Sequence, residues 1–239
     1  MEIALFTCLS DNYAVLLRCP STGKVALVDA PAAEPVMAEL DKRGWGLDLV
    51  LVTHQHHDHI EGIPPLVARY GAKVIAPHLA ASALPGADRF VSEGDIVEIG
   101  DLRAEVWETP GHCADHVSYH FADEKVIFVG DTMFTMGCGR IFNLPPDKLY
   151  HSLRRIAGLP GETRVFSGHE YTLSNARFCA RIEPENAEIA ARLKAVEAAR
   201  ASGIPTVPTT IAEERATNVF VRAGDVAEFA ARRDAKNRF

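Results

Sequence analysis

The chain has no unbroken apolar run approaching the ~20 residues needed to cross a bilayer, which argues against a helical membrane span. Its opening stretch, MEIALFTCLSDNYAVLLRCP, starts with an acid and soon meets polar positions, so it lacks the basic start and long apolar core of a secretory leader. Cysteine is scarce: Cys8, Cys19, Cys113, Cys138 and Cys179 make five, an odd number with no CxxC pair. That pattern argues against a disulfide framework and for a reducing compartment, with each thiol expected as a small buried residue. Basic charge is short as well, 25 Lys and Arg against 32 Asp and Glu for a net charge of -7. A nucleic-acid partner is therefore disfavoured, because neutralising phosphates needs a basic surface. No self-similar period recurs, so a solenoid or propeller is not expected. These absences together predict a cytoplasmic monomer that binds neither membrane nor nucleic acid.

What is present is an ordinary globular composition, 47% apolar and 24% charged over 239 residues, enough for a full core. Short β-branched and aromatic runs at residues 3–7, 14–18, 24–29 and 49–53 read as strands joined by Asn, Gly and Pro turns. Further strands are expected at 73–76, 96–99, 102–108, 117–121, 125–129 and 164–166, with helices at 34–43, 63–70 and 147–157. From about His169 the character changes: NAEIAARLKAVEAARAS and residues 225–237 read as helices, with SGIPTVPTT as a loop between them. The expected class is α/β, followed by a mostly helical C-terminal segment.

The densest chemistry lies in LVTHQHHDHIEG, which packs four histidines and an aspartate into the six residues His54 to His59. A histidine-rich run can be no more than a solvated loop. Here it follows the apolar strand DLVLV and precedes a helix, so it is held at a strand-to-helix turn. His54 and His56 alternate on an extended backbone and share a direction, whereas Asp58 and His59 start a new one as the helix opens. Three more strand ends carry a glycine followed by a polar residue: Gly111-His112, Gly130-Asp131 and Gly168-His169. Functional groups in open α/β sheets gather beyond the carboxyl ends of strands, so these loops are candidates to converge. Five imidazoles (His54, His56, His59, His112, His169) and two carboxylates (Asp58, Asp131) are too many for one open tetrahedral zinc site and suit two ions sharing a carboxylate. Zinc is the first expectation for the pair of divalent ions, and iron and manganese accept the same donors.

The run Thr53 to His59, T-H-x-H-x-D-H, resembles the signature of the metallo-β-lactamase superfamily, and His112, Asp131 and His169 follow in that superfamily's order. Within it, GDTMFTMGCGR, SGHEYTLSNARF, PTVPTTIAEERATN and the terminal RRDAKNRF are similar to the glyoxalase II (hydroxyacylglutathione hydrolase) family along the whole chain. The resemblance implies a four-layer αβ/βα metallo-β-lactamase sandwich over residues 1–168 and a small C-terminal α-helical, glutathione-binding domain over 169–239. It implies that His54, His56 and His112 hold one ion, that Asp58, His59 and His169 hold the other, and that Asp131 bridges them, with Asp58 and Asp131 serving catalysis. Substrate contacts are implied at Arg140, Tyr171, Arg233 and Lys236. The implied reaction cleaves a small-molecule glutathione thioester, S-D-lactoylglutathione, to D-lactate and glutathione, the second step of methylglyoxal detoxification. Two departures stand out. Phe142 occupies a position where the family often has tyrosine, and Asn218-Val219-Phe220 replaces its usual Asn-Pro-Phe.

Other residues have plainer readings. His57 falls off both alternations and reads as a solvent-facing neighbour, while His78, His116, His120 and His151 lack a comparable context, and Glu61 has no assignable role. Cys113 is a ligand only if the donor set were incomplete, and Cys138 reads as packing. Without the resemblance, Arg233 and Lys236 are cations that complement a helix C-terminus. Two competing functions stay open at this point: a persulfide dioxygenase of the same superfamily using a single iron, and a non-catalytic metal-binding protein, which would be expected to lack one or more of the seven donors. A β-lactamase leaves the helical tail unexplained.

Overall fold

The computed structural model describes all 239 residues, which divide into two compact units: Met1–Glu108 with Asp115–Glu124, and Thr109–Ala114 with Lys125–Phe239.

In the first unit, β1 (Glu2–Cys8), β2 (Asn12–Arg18) and β3 (Val25–Val28) run antiparallel in succession. Helix α1 (Ala33–Arg43) then leads to β4 (Leu49–Leu51), which pairs parallel with β3. The one-turn α2 (His57–Ile60) and α3 (Ile63–Tyr70) follow, and β5 (Lys73–Pro77) and β6 (Arg89–Val91) add two more parallel strands to a six-stranded sheet. A second group, β7 (Ile96–Ile99), β8 (Leu102–Glu108) and β9 (Val117–Phe121), is an antiparallel meander. The core follows from the patterning: Leu16, Leu27, Val50 and Val52 of the sheet meet Val36 and Leu40 of α1 and Leu66 of α3. Gly62 sits where an added Cβ would lie 2.9 Å from Ala30 O, so α3 can start tight against the chain that leaves β3.

In the second unit, β10 (Val126–Gly130) is buried throughout and pairs parallel with β13 (Arg164–Ser167). Between them lie the small hairpin of β11 (Met133–Phe134) and β12 (Gly137–Cys138) and helix α4 (Pro146–Ala157). Proline in the first turn of α4 needs no intrahelical hydrogen bond, and Leu149, Leu153 and Ile156 form its buried face. Four further elements are helical: α5 (Thr172–Ile182), α6 (Ala187–Ala201), α7 (Ile211–Thr217) and α8 (Val226–Asn237), the last lying against α4. Buried Glu214 ties this set together, accepting from Arg192 at 2.8 Å, Thr209 at 2.7 Å, Asn218 at 2.8 Å and the Met136 backbone N–H at 2.8 Å. The expected loop 202–210 contains a two-residue strand, β14 (Thr209–Thr210), because its β-branched pair adds to the edge of β13. No helix is long and apolar enough to cross a membrane.

Candidate metal donors and a cationic cavity

In the first unit the chain leaves β4, bends at Thr53 and enters the histidine run. His54 and His59 are buried, and His56 is half-buried. His54 Nε2 and His56 Nδ1 face one another at 3.1 Å. One turn of α2 then carries Asp58 and His59, whose Oδ2 and Nε2 are 3.9 Å apart. Asp58 and His59 are held from behind. Asp29, at the end of β3, accepts from the Thr53 N–H and hydroxyl at 2.8 Å each, and from His59 Nδ1 at 2.8 Å. That contact assigns the proton to Nδ1 and makes Nε2 of His59 the ring nitrogen that can ligate. Asn12 donates its amide to Asp58 twice, at 3.0 Å to Oδ2 and 3.0 Å to the backbone oxygen. Exposed His57 reaches only Glu61, at 3.2 Å, which agrees with its reading as the surplus histidine of the run.

In the second unit, Asp131 and His169 come off the adjacent parallel strands β10 and β13, each directly after a glycine. His112 follows Gly111, which has φ +142 and where a Cβ would stand 2.3 Å from Leu149 Cα; no other residue fits this close approach of the loop to α4. His112 Nδ1 donates to the Arg140 carbonyl at 2.8 Å, which puts the proton on Nδ1 and makes Nε2 the ring nitrogen that can ligate. Both His112 Nε2 and His169 Nε2 then point at one oxygen, Asp131 Oδ2, at 3.7 and 3.4 Å.

These spacings test whether a metal fits. Two ligand atoms each 2.0–2.1 Å from a tetrahedral ion lie about 3.3 Å apart. The 3.1 Å pair in the first unit and the 3.4 and 3.7 Å pairs in the second bracket that value. A ring nitrogen 3.7 Å from a carboxylate oxygen is beyond useful hydrogen bonding, and imidazole and carboxylate lone pairs gather here at ligand spacing. Lone pairs arranged this way are the surroundings of cations, and the donor set fits divalent metal.

A cavity of about 510 Å³ opens in the second unit, lined by His112 and Asp131 together with all four sequence-predicted substrate contacts, Arg140, Tyr171, Arg233 and Lys236. Tyr171 stacks flat on His169, ring centroids 4.8 Å apart, and Phe142 meets the His112 ring edge-on at 5.3 Å. Arg233 is not a solvated cation at a helix end. Arg233 is only 7% exposed, donates to the Cys138 carbonyl at 3.0 Å and covers the Phe220 ring at 5.2 Å. Its Nε is buried without an acceptor. Lys236 donates to Ser174 O and Oγ at 2.9 and 2.7 Å. Burial, and then the neighbouring Arg233 charge, bring its pKa down from the usual lysine range to about 8. Cys138, taken as packing, accepts from Arg233 and borders the cavity, and burial pushes its thiol up.

Sequence reasoning overlooked Asp29, Asn12, Asp115 and His116. Asp29 also directly follows a strand, but Val28 and not glycine precedes it, so the pattern that found Asp131 passes over it. His116, dismissed as lacking context, stacks on His54 with ring centroids 4.8 Å apart.

Comparison with known proteins agrees with this geometry. Residues 10–169 match the family described as Metallo-beta-lactamase superfamily, and residues 170–239 match Hydroxyacylglutathione hydrolase C-terminus. A hydroxyacylglutathione hydrolase of Methylobacterium nodulans is 48% identical over 253 aligned positions, covering 100% of this chain and 99% of the relative. The chain belongs to the hydroxyacylglutathione hydrolase family. Among solved structures, ETHE1 from Myxococcus xanthus superposes with a TM-score of 0.77 at 29% identity, covering 99% of this chain and 92% of that one. TTHA1623 in a di-iron-bound form gives a TM-score of 0.58 at 29% identity, covering 71% and 92%. The fold is thus the α/β metallo-β-lactamase fold with the helical C-terminal region of hydroxyacylglutathione hydrolases.

Proposed function

We propose that the chain hydrolyses the thioester of S-(2-hydroxyacyl)glutathiones, S-D-lactoylglutathione among them, to a 2-hydroxy acid and glutathione, using two divalent ions. The observation that carries the reading is the meeting, in one cavity, of the metal donors His112 and Asp131 with three cationic side chains. A glutathione thioester pairs an electrophilic carbonyl with two carboxylates, and this lining offers a partner for each.

In this reading His54, His56 and His112 hold one ion, Asp58, His59 and His169 the other, and Asp131 serves both. The di-iron form of the related TTHA1623 supports a two-ion count, and zinc, iron and manganese all suit the donors. When bound, such ions polarise the thioester carbonyl and make water nucleophilic near neutral pH. The chain's own residues do the rest. Asp131 holds its carboxylate between two imidazoles, Asp58 is kept in register by Asn12, and Tyr171 and Phe142 wall the cavity beside His169 and His112. Arg140, Arg233 and Lys236 orient the glutathione carboxylates, and an acceptor offered to Arg233 Nε removes the ~1–3 kcal/mol cost of a buried donor without a partner. Thiolate is a good leaving group and needs no general acid.

The division of labour proposed is catalysis by residues 1–168 and glutathione binding by 169–239, in a monomer of the cytoplasm. The test is thiol release from S-D-lactoylglutathione by the metal-loaded full chain. Steady turnover is expected, with discrimination against thioesters lacking the glutathione carboxylates. No thiol release with metal bound would remove the assignment.

A further inference from the structure

The metal donors of the histidine run are themselves unevenly anchored. Asp29 holds Thr53 and His59, Asn12 holds Asp58, and neither touches Gln55, the residue between His54 and His56. Gln55 has its own anchor. The Asp115 carboxylate accepts the Gln55 backbone N–H at 2.8 Å through Oδ2 and the Gln55 side-chain amide at 3.3 Å through Oδ1. Next to it, His116 stacks on the His54 ring at 4.8 Å and 22°, and the Val117 N–H donates to Thr53 O at 2.9 Å.

Asp115 is 3% exposed and has no cationic partner; its contacts with Gln55 are what satisfy it. Burying a carboxylate without a counter-charge is costly, so a hydrophobic or small residue would serve packing alone at lower free energy. What the carboxylate does uniquely is fix the peptide plane between His54 and Gln55. Residues 54–56 lie in no helix or strand, so no regular backbone ladder holds them, and fixing the plane between His54 and Gln55 sets the angle at which the flanking imidazoles project. The 3.1 Å separation of His54 Nε2 and His56 Nδ1 depends on that angle.

We propose that Asp115 is a positioning residue for the His54–His56 donor pair, acting through Gln55, with His116 as the ring that keeps His54 from rotating. The inference rests on the reading that this pair ligates a metal ion. Neither Asp115 nor His116 is a ligand in it. Outer partners of metal-binding histidines change affinity by about 10–100-fold when removed, and Asp115 acts on two histidines together through the backbone that joins them.

The experiment is chelator competition on the folded, metal-loaded full chain, with the cobalt-substituted absorption spectrum as a readout of ligand geometry. Asp115→Ala is expected to weaken binding of one ion at least about tenfold and to shift the cobalt bands, while the other ion keeps its affinity. Asp115→Asn, which retains an acceptor for the Gln55 N–H, is expected to stay within about threefold of the parent. Should the alanine variant not fold, Asp115→Glu, which keeps the charge but displaces the acceptor, is expected to show the same loss. Unchanged affinity and spectrum in Asp115→Ala, or in Asp115→Glu if it stands in, would overturn the proposal, leaving Asp115 a packing residue. Equal loss in the alanine and asparagine variants would assign the effect to charge and overturn it too. A parent protein that binds no metal at His54 and His56 would instead remove the underlying reading.

Discussion

Asp29 Oδ2 lies 2.8 Å from His59 Nδ1 and 2.8 Å from the Thr53 hydroxyl, so one buried carboxylate sets both the start of the histidine run and the tautomer of its last member. Asp29 itself sits at φ +54, a left-handed conformation that aspartate tolerates better than most residues.

Replacing Asp29 by alanine leaves the Thr53 N–H and the His59 Nδ1–H without acceptors. The expected result is a loss of about 1–3 kcal/mol of stability and a 10–100-fold weaker hold on metal. Thermal unfolding of the stripped protein reads the first quantity and chelator competition reads the second. An alanine variant that matches the parent in both would show that Asp29 does not orient His59.

Arg233 offers a separation of a different kind. Arg233→Lys keeps a cation but loses the planar fork whose Nη1 donates to Cys138 while its separate Nε–H faces another direction. The KM for S-D-lactoylglutathione is expected to rise about tenfold, roughly one charge-assisted hydrogen bond, with bound metal unchanged. A fall in metal content with KM intact would place Arg233 in the support of the donors and not in substrate binding.

Lys236 predicts a pH effect whose sign follows from its lowered pKa of about 8. The ammonium is present below pH 8 and is lost as pH rises through it, so KM for the anionic substrate should climb above pH 8. Stability moves the other way. The folded chain gives up this proton at lower pH than the unfolded chain, whose lysine titrates near ~10.4, so the unfolded state binds more protons between the two values and stability rises across that window. Lys236→Arg, charged throughout, should flatten the KM profile between pH 7 and pH 9; an unaltered profile would show that another group controls binding.

Much of this was legible in advance, for a physical reason. Strand ends followed by glycine and a polar side chain mark where a sheet must turn, and that rule located His112, Asp131 and His169. Alternation on an extended chain separated His54 and His56 from Asp58 and His59 and left His57 as surplus, and its 79% exposed side chain agrees. Helix α5 was not legible, since Tyr171 offers no side-chain cap and the apolar pattern is broken by Ser174 and Asn175. Helix α7 could have been found from its capping box, Thr210 with Glu213, a local signal that needs no partner. The anchoring of the donors was hidden more deeply. Asp115 touches Gln55 across 60 residues of chain, and no local spacing encodes such a contact. The buried state of Arg233 was hidden likewise, because its partner Cys138 lies 95 residues away and a basic helix terminus normally faces water.

In the function proposed, the seven donors hold two divalent ions on which thioester hydrolysis depends. Its most direct test strips the chain with chelator, returns zinc, iron or manganese in measured equivalents, and follows thiol release from S-D-lactoylglutathione alongside bound metal. No turnover is expected in the stripped protein, and activity is expected to climb until two ions are bound per chain. Full turnover without metal, or activity complete at one ion with no second ion bound, would contradict it.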